Sequence, residues 1–205
     1  MRFERVQKHF KYRTRQIAGC LITHEHGDHA KYIKQYLNEG LNCYMTNGTM
    51  LAIDYESHRL STIKAKQELR IGTWSIIPFD IEHDAKEPVG FLLRSSLGYK
   101  ILYVTDTKYL KYKFSGLTHM MLEVNYIYVQ MQENVKNGAI HQALANRIMD
   151  SHFSLEHAID MLNSNDLSKL QAIHLIHLSS QNSNANEIKT QIQETTGVPV
   201  YVGGL

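Results

Sequence analysis

The chain has 205 residues, 43% hydrophobic and 20% charged, with a formal net charge of +2. That is enough for one globular domain over 1–205 with a sizeable core, and its three prolines argue against Pro-rich linkers or disorder. The small net charge does not by itself imply a nucleic-acid partner. No apolar run is long enough to span a membrane and the N-terminus lacks a signal-peptide core, so a cytoplasmic location without a membrane partner is expected.

Taken in order, the first fifteen residues carry Arg2, Arg5, Lys8, Lys11, Arg13 and Arg15 against only Glu4. They read as a basic helix face that is either merely solvated or tracks phosphate. Ile17 to His24 is a buried strand, and Ala30 to Asn38 a helix stopped by Gly40. Leu41 to Thr46 is a second strand, followed by a short helix from about Thr49 to Tyr55. Glu68 to Ile81 alternates as one or two strands. Gly90 to Ser96 and Tyr99 to Thr105 form a hairpin around Leu97-Gly98. Met120 to Asn125 is a strand. Helices follow over Gly138–Met149 and Leu155–Leu162, the second capped by Ser154. Leu170 to Leu178 is a strand, Asn184 to Thr195 a helix, and Val198 to Val202 a closing strand. Strands interleaved with helices give a layered α/β or α+β domain. Cys20 and Cys43 sit in apolar runs and are expected as buried free thiols, as in a reducing compartment, with a disulfide the alternative.

Twelve histidines are the unusual part of the composition. His24, His26, Asp28 and His29 fall within six positions. His24 and His26, two apart near a strand end, share one face. Gly27 is expected to permit a tight turn into the following helix. Imidazole nitrogens and carboxylate oxygens suit Zn2+, Mn2+ or Fe2+. His83, Asp106 and His177 each stand at the end of a strand-like run. Taken singly, each also reads as a satisfied core histidine or a capping aspartate. Alternation puts His174 and His177 on opposite faces, so only one of them is expected to face a site.

The run Thr23-His24-Glu25-His26-Gly27-Asp28-His29, with His83, Asp106 and His177 following in order, resembles the ligand set of the metallo-β-lactamase superfamily. The segments His83-Asp84-Ala85-Lys86-Glu87-Pro88 and His177-Leu178-Ser179-Ser180-Gln181-Asn182 are similar to its YycJ (WalJ) branch, small hydrolases of bacteria and phages linked to DNA processing. The resemblance implies an αββα four-layer sandwich binding two divalent metal ions, Zn2+ or Mn2+. His24, His26 and His83 would hold one ion, Asp28, His29 and His177 the other, with Asp106 bridging. Asp28 and His152 are the catalytic candidates. A histidine placed in sequence like His152 protonates the leaving oxygen in related phosphodiesterases such as ribonuclease Z. The other reading of His152 is a helix-start residue bonded to backbone.

The expected function is therefore a phosphodiesterase or nuclease acting on nucleic acid through a metal-activated hydroxide. The alternatives are hydrolysis of a small ester, thioester or lactam, or a metal-binding relic without activity. Two departures from the family pattern stand out. Its opening strands are expected to be missing before Ile17, and Asn125-Tyr126 stands where many relatives have Asn-His. Oligomeric state is not legible in the sequence.

Overall fold

The computed structural model describes residues 13–203. Arg2, Arg5, Lys8 and Lys11 of the expected basic helix lie outside the described residues, as does most of the stretch where the family's opening strands were expected to be missing. Arg13 and Arg15 flank or enter a 3-10 turn, Thr14–Gln16. The chain forms two compact units: residues 13–80 with Ala85–Val89, and Ile81–Asp84 with residues 90–203. Among the described residues no helix is long and apolar enough to cross a membrane.

In the first unit, β1 (Cys20–Leu21), β2 (Cys43–Thr46) and β3 (Leu60–Ile63) form a parallel sheet in that order. Parallel neighbours need crossover connections, and helices supply them. Gly27–Ala30 and Ile33–Asn38 join β1 to β2, and Asn47–Ile53 joins β2 to β3. The expected helix over Ala30–Asn38 is thus interrupted at Lys31-Tyr32, and Gly40 at φ 84° turns the chain beyond it. The first strand is shorter than expected. Ile22, Ile33, Leu37, Cys43 and Met45 pack as its core. Cys20 and Cys43 are register partners on β1 and β2 and are free thiols. The Cys43 hydrogen bond, then burial, pushes the Cys20 thiol far up. β4 (Leu69–Ile71) and β5 (Trp74–Asp80) make an antiparallel hairpin, resolving the alternating run into two strands.

Residues 85–89 strap across this unit. Thr46 Oγ1 donates to the Glu87 carbonyl at 2.7 Å, and Gly48 N–H donates to Glu87 Oε2 at 2.6 Å. Lys86 N–H donates to Glu25 Oε1 at 2.8 Å, and Val89 N–H to the Thr23 carbonyl at 3.0 Å.

The second unit carries β6 (Val89–Ser95) from Gly90 onward, with β7 (Lys100–Val104), β8 (His119–Glu123), β9 (Ala172–Ile176) and β10 (Val200–Val202). They lie in the order β10-β9-β8-β7-β6. The pair β6/β7 is the antiparallel hairpin expected around Gly98, and the others run parallel. Leu102, Val104, Met120, Leu122, Ile173 and Leu175 are fully buried in the central strands. Each such side chain contributes roughly 1.5–3 kcal/mol by leaving water.

Helix Leu155–Ser164 buries Leu155, Ala158, Met161 and Leu162, one helical stripe, and Ser154 caps it by accepting from His157 N–H at 3.1 Å. Helix Ala185–Thr196 buries Ile188 and Ile192 and stops at Gly197, φ 69°. β3 and the helix Tyr128–Lys136 were not expected from the sequence, and the helix expected from Gly138 starts later. Gly138, φ 73°, lies just beyond Tyr128–Lys136, and the following helix is Gln142–Ser151.

Candidate metal centre

In the first unit, β1 leads into the histidine turn. His24 is fully buried, and its ring lies 4.7 Å from that of His26 and 4.2 Å from that of His29. Thr23 Oγ1 stands 3.1 Å from His24 Nδ1 and 3.4 Å from His29 Nδ1, so one hydroxyl touches both rings. His26 begins the short helix Gly27–Ala30, its carbonyl accepting from Ala30 N–H at 2.8 Å. That helix swings Asp28 Oδ2 to 3.3 Å from His29 Nε2. The glycine between them does not act as expected. Gly27 is not at positive φ, and a Cβ there would meet nothing within 4 Å.

In the second unit, three parallel strands end at one edge of the sheet, and each delivers a donor. Asp106 follows β7, Glu123 closes β8 and His177 follows β9. Asp106 is 1% exposed and Glu123 0%. His152 caps the C-terminus of helix Gln142–Ser151, and its side chain bonds carboxylates, not the backbone of a helix start. His152 Nδ1 lies 2.7 Å from Glu123 Oε1 and 3.1 Å from Asp106 Oδ1. His177 Nδ1 lies 3.0 Å from each of the same two oxygens. Single donor atoms of Asp106, Glu123, His152 and His177 all fall within 4.8 Å of one another.

His83 donates through Nδ1 to the Ser151 carbonyl at 2.9 Å, which leaves Nε2 to face other partners. Its loop is tied down by Glu82, whose N–H meets Thr107 Oγ1 at 3.1 Å and whose carbonyl accepts from Lys108 N–H at 2.9 Å.

Burial lowers the His83 imidazole below its usual range. At His152 burial also pulls down, but the hydrogen bonds to Asp106 and Glu123 outweigh it and push the group up to about 10. Without metal, then, His152 holds its proton at neutral pH.

The structure gathers His24, His26, Asp28 and His29 within the first unit, and Asp106, His152 and His177 within the second. His174 is on the other side of β9, stacked on Tyr201 at 5.2 Å, so His177 is the one that meets the acidic pair. Tyr126 is 3% exposed and packs with Met131, Ile140 and Ala145. Burial pushes its hydroxyl up to about 12. Glu123 was missed in the sequence. Its signal, a carboxylate after the apolar run Met120-Met121-Leu122, is the one that marks Asp106. The donors in both units are nitrogen and oxygen, with the two thiols paired on β1 and β2. Within each unit such donors suit a divalent metal ion.

The sequence matches the family described as the beta-lactamase superfamily domain over residues 2–175. No protein of curated function matches it by sequence. Among solved structures it is similar to the metallo-beta-lactamase fold protein YhfI from Bacillus subtilis, with TM-score 0.71, 14% identity, and 97% of this chain and 80% of that one covered. A diphosphatase of the PhnP family gives TM-score 0.66 at 14% identity, covering 99% of this chain and 75% of that one. Human tRNase Z, short form, gives TM-score 0.59 at 14% identity, covering 98% and 81%. At these identities the likeness is one of fold. The chain belongs to the beta-lactamase superfamily, and its mixed α/β architecture is the metallo-β-lactamase fold.

Proposed function

We propose that the protein is a metal-dependent phosphodiesterase acting on nucleic acid, of the kind its YycJ (WalJ) resemblance implies. His24, His26 and His83 would hold one divalent ion, Zn2+ or Mn2+, and Asp28, His29 and His177 a second, with Asp106 shared. When bound, such ions polarise the substrate's phosphoryl oxygens and make water a nucleophile near neutral pH. The chain's own residues would do the rest. Asp28 takes up the proton of the attacking water, and His152 returns one to the leaving oxygen. The family match over residues 2–175 runs through both units and supports reading 1–205 as a single domain. The two free thiols support a reducing, cytoplasmic setting.

The observation that carries the phosphodiester reading is the imidazole of His152, held through Nδ1 by two buried carboxylates. A thioester, whose thiolate leaves without protonation, has little need of such an acid. The basic bias of the first fifteen residues and the fold likeness to a tRNase support nucleic acid as the substrate class.

The test is cleavage of end-labelled single- and double-stranded DNA and RNA with added Mn2+ or Zn2+, with Asp106→Ala as control. Metal-dependent cleavage lost in the control supports the reading. Turnover only of thioester or lactam substrates moves the protein to the other hydrolase class. Bound metal without any turnover, bis-p-nitrophenyl phosphate included, makes it a binding relic.

A further inference from the structure

The loop between β7 and β8, residues 105–118, leaves the sheet beside Asp106 and carries lysines interleaved with aromatic rings. From Thr107 to Thr118 it has Lys108, Lys111 and Lys113 and no acidic residue. Its burial alternates. Tyr109, Lys111 and Lys113 are exposed, Leu110 is buried, and Tyr112 and Phe114 are half-buried. A period of two is that of an extended run, so the first three share an outer face and the last three an inner one. The inner face is held in place. Leu110 is 6% exposed, the Tyr112 and Phe114 ring centroids lie 6.4 Å apart, and Phe114 N–H donates to Asn165 Oδ1 at 2.7 Å.

The outer face is the unusual one. Tyr109 stays 54% exposed while its backbone is fixed, the carbonyl accepting from Thr107 Oγ1 at 2.8 Å. Lys111 Nζ stands 5.5 Å from the Tyr112 ring centroid, which keeps its charge over the loop. Lys108 pairs with Asp150 at 2.6 Å, which offsets its charge and ties the loop to the helix that His152 caps. One ring and two ammonium groups therefore follow one another along the outer face, successive members at most about 7 Å apart along the chain. The Tyr109 Cα lies at most about 11 Å from that of Asp106.

We propose that Tyr109, Lys111 and Lys113 form a platform for single-stranded nucleic acid, the Tyr109 ring stacking on a base and the two lysines following the neighbouring phosphates. A single strand offers both an open base face and a line of negative charge, and this surface answers each. A duplex keeps its base faces in its own stack, so the ring selects the single strand, whereas lysines alone would hold either form. That the bound strand is then cut at the neighbouring centre rests on the phosphodiesterase reading above; the binding does not.

Fluorescence anisotropy of a labelled oligothymidylate, alone and as its duplex with oligoadenylate, tests this on the full chain in EDTA, where no metal-dependent cleavage intrudes. The single strand should bind more tightly than the duplex. Tyr109→Ala should weaken single-strand binding about 5- to 100-fold, and Tyr109→Phe, which keeps the stacking face, should restore it. Lys111→Gln combined with Lys113→Gln should flatten the slope of log affinity against log salt by about 1.4, at roughly 0.7 per phosphate contact. All three side chains are exposed, so their replacement leaves the packed face of the loop intact. Absence of binding, equal affinity for strand and duplex, wild-type affinity in Tyr109→Ala or an unchanged salt slope in the lysine variant each overturns the platform. Cleavage with added Mn2+ or Zn2+ tests the other reading separately. A strand bound through this face but never cut removes the phosphodiesterase reading and leaves the platform standing. Cutting with the wild-type KM in both Tyr109→Ala and the lysine variant removes the platform and leaves that reading standing.

Discussion

Asp106 and His177 meet at 3.0 Å between Oδ1 and Nδ1, and both hold left-handed backbone, at φ 53° and φ 57°. Asp106 comes just after β7 and His177 just after β9, the two neighbours of β8. Left-handed backbone costs a residue with a side chain roughly 1–2 kcal/mol, less for Asp and His than for bulky or branched types. Two such positions facing each other hold the carboxylate and the imidazole at the sheet edge, instead of letting each strand run on in register. Strain of this kind concentrates where geometry serves function.

That strain should be measurable at position 177. His177→Gly and His177→Ala remove the same imidazole, but only glycine relaxes the backbone. After its greater unfolded-state entropy is counted, the glycine variant should be more stable by roughly 0.5–1 kcal/mol. Urea denaturation of the metal-free variants checks it. An alanine variant as stable as the glycine one means that the backbone there is not strained.

The same two residues show what the sequence displays and what it hides. Asp106 was legible because an apolar run stops at a carboxylate. Glu123 has the same signature but went unseen, because Val124 and Asn125 extended the apparent strand and made it look like an interior residue. His177 was likewise placed inside a strand running to Leu178, whereas β9 ends at Ile176 and the chain turns left-handed. Its partner Glu123 is 54 residues away, and that of His152 is 29 away, separations that no local periodicity registers. β3 was invisible because Ser61 and Thr62 are both exposed, so no alternation marks it. Helix Tyr128–Lys136 buries only Met131, too narrow a stripe to stand out. The histidine turn needed no long-range knowledge, since its donors all lie within six residues.

Asp106→Ala should cost at least one equivalent of bound metal and abolish turnover. The carboxylate is 1% exposed and touches both His152 and His177, so its loss would remove the proposed shared ligand and leave neighbouring positive charge uncompensated. Elemental analysis of the purified variant beside wild type reads the metal. Full stoichiometry with normal activity would refute a shared ligand at this position.

Gly48→Ala tests the strap in the first unit. A helix-interior glycine replaced by alanine ordinarily gains about 1 kcal/mol, and the first turn of a helix gains less. Here a Cβ would stand 2.6 Å from Glu87 Cβ and 3.3 Å from the Glu87 amide nitrogen, so the backbone itself would have to give. Overpacking of that kind costs about 1–3 kcal/mol and should win. A net loss of roughly 1–2 kcal/mol in chemical denaturation is expected. A gain in stability would show that the strap does not hold residues 85–89 against this helix.

His152 gives the sharpest kinetic contrast. Its Nδ1 is anchored by Glu123 and Asp106, so the ring is fixed while Nε2 remains for the reaction. If it protonates the leaving oxygen, His152→Ala should lower kcat by roughly 10²–10⁴-fold on a substrate with an alkoxide leaving group. An activated leaving group such as p-nitrophenolate departs without protonation, so there the defect should shrink. Metal content should stay at the wild-type level, because His152 is outside the proposed ligand set. A residue that merely positions substrate would hurt both substrates alike. One that only ends the helix Gln142–Ser151 would lower the melting temperature and leave the ratio of the two rates unchanged. Measuring both substrates and bound metal on one preparation therefore separates the three roles. Equal rate losses on the two substrates, or loss of metal from the variant, would remove His152 from the part of the acid.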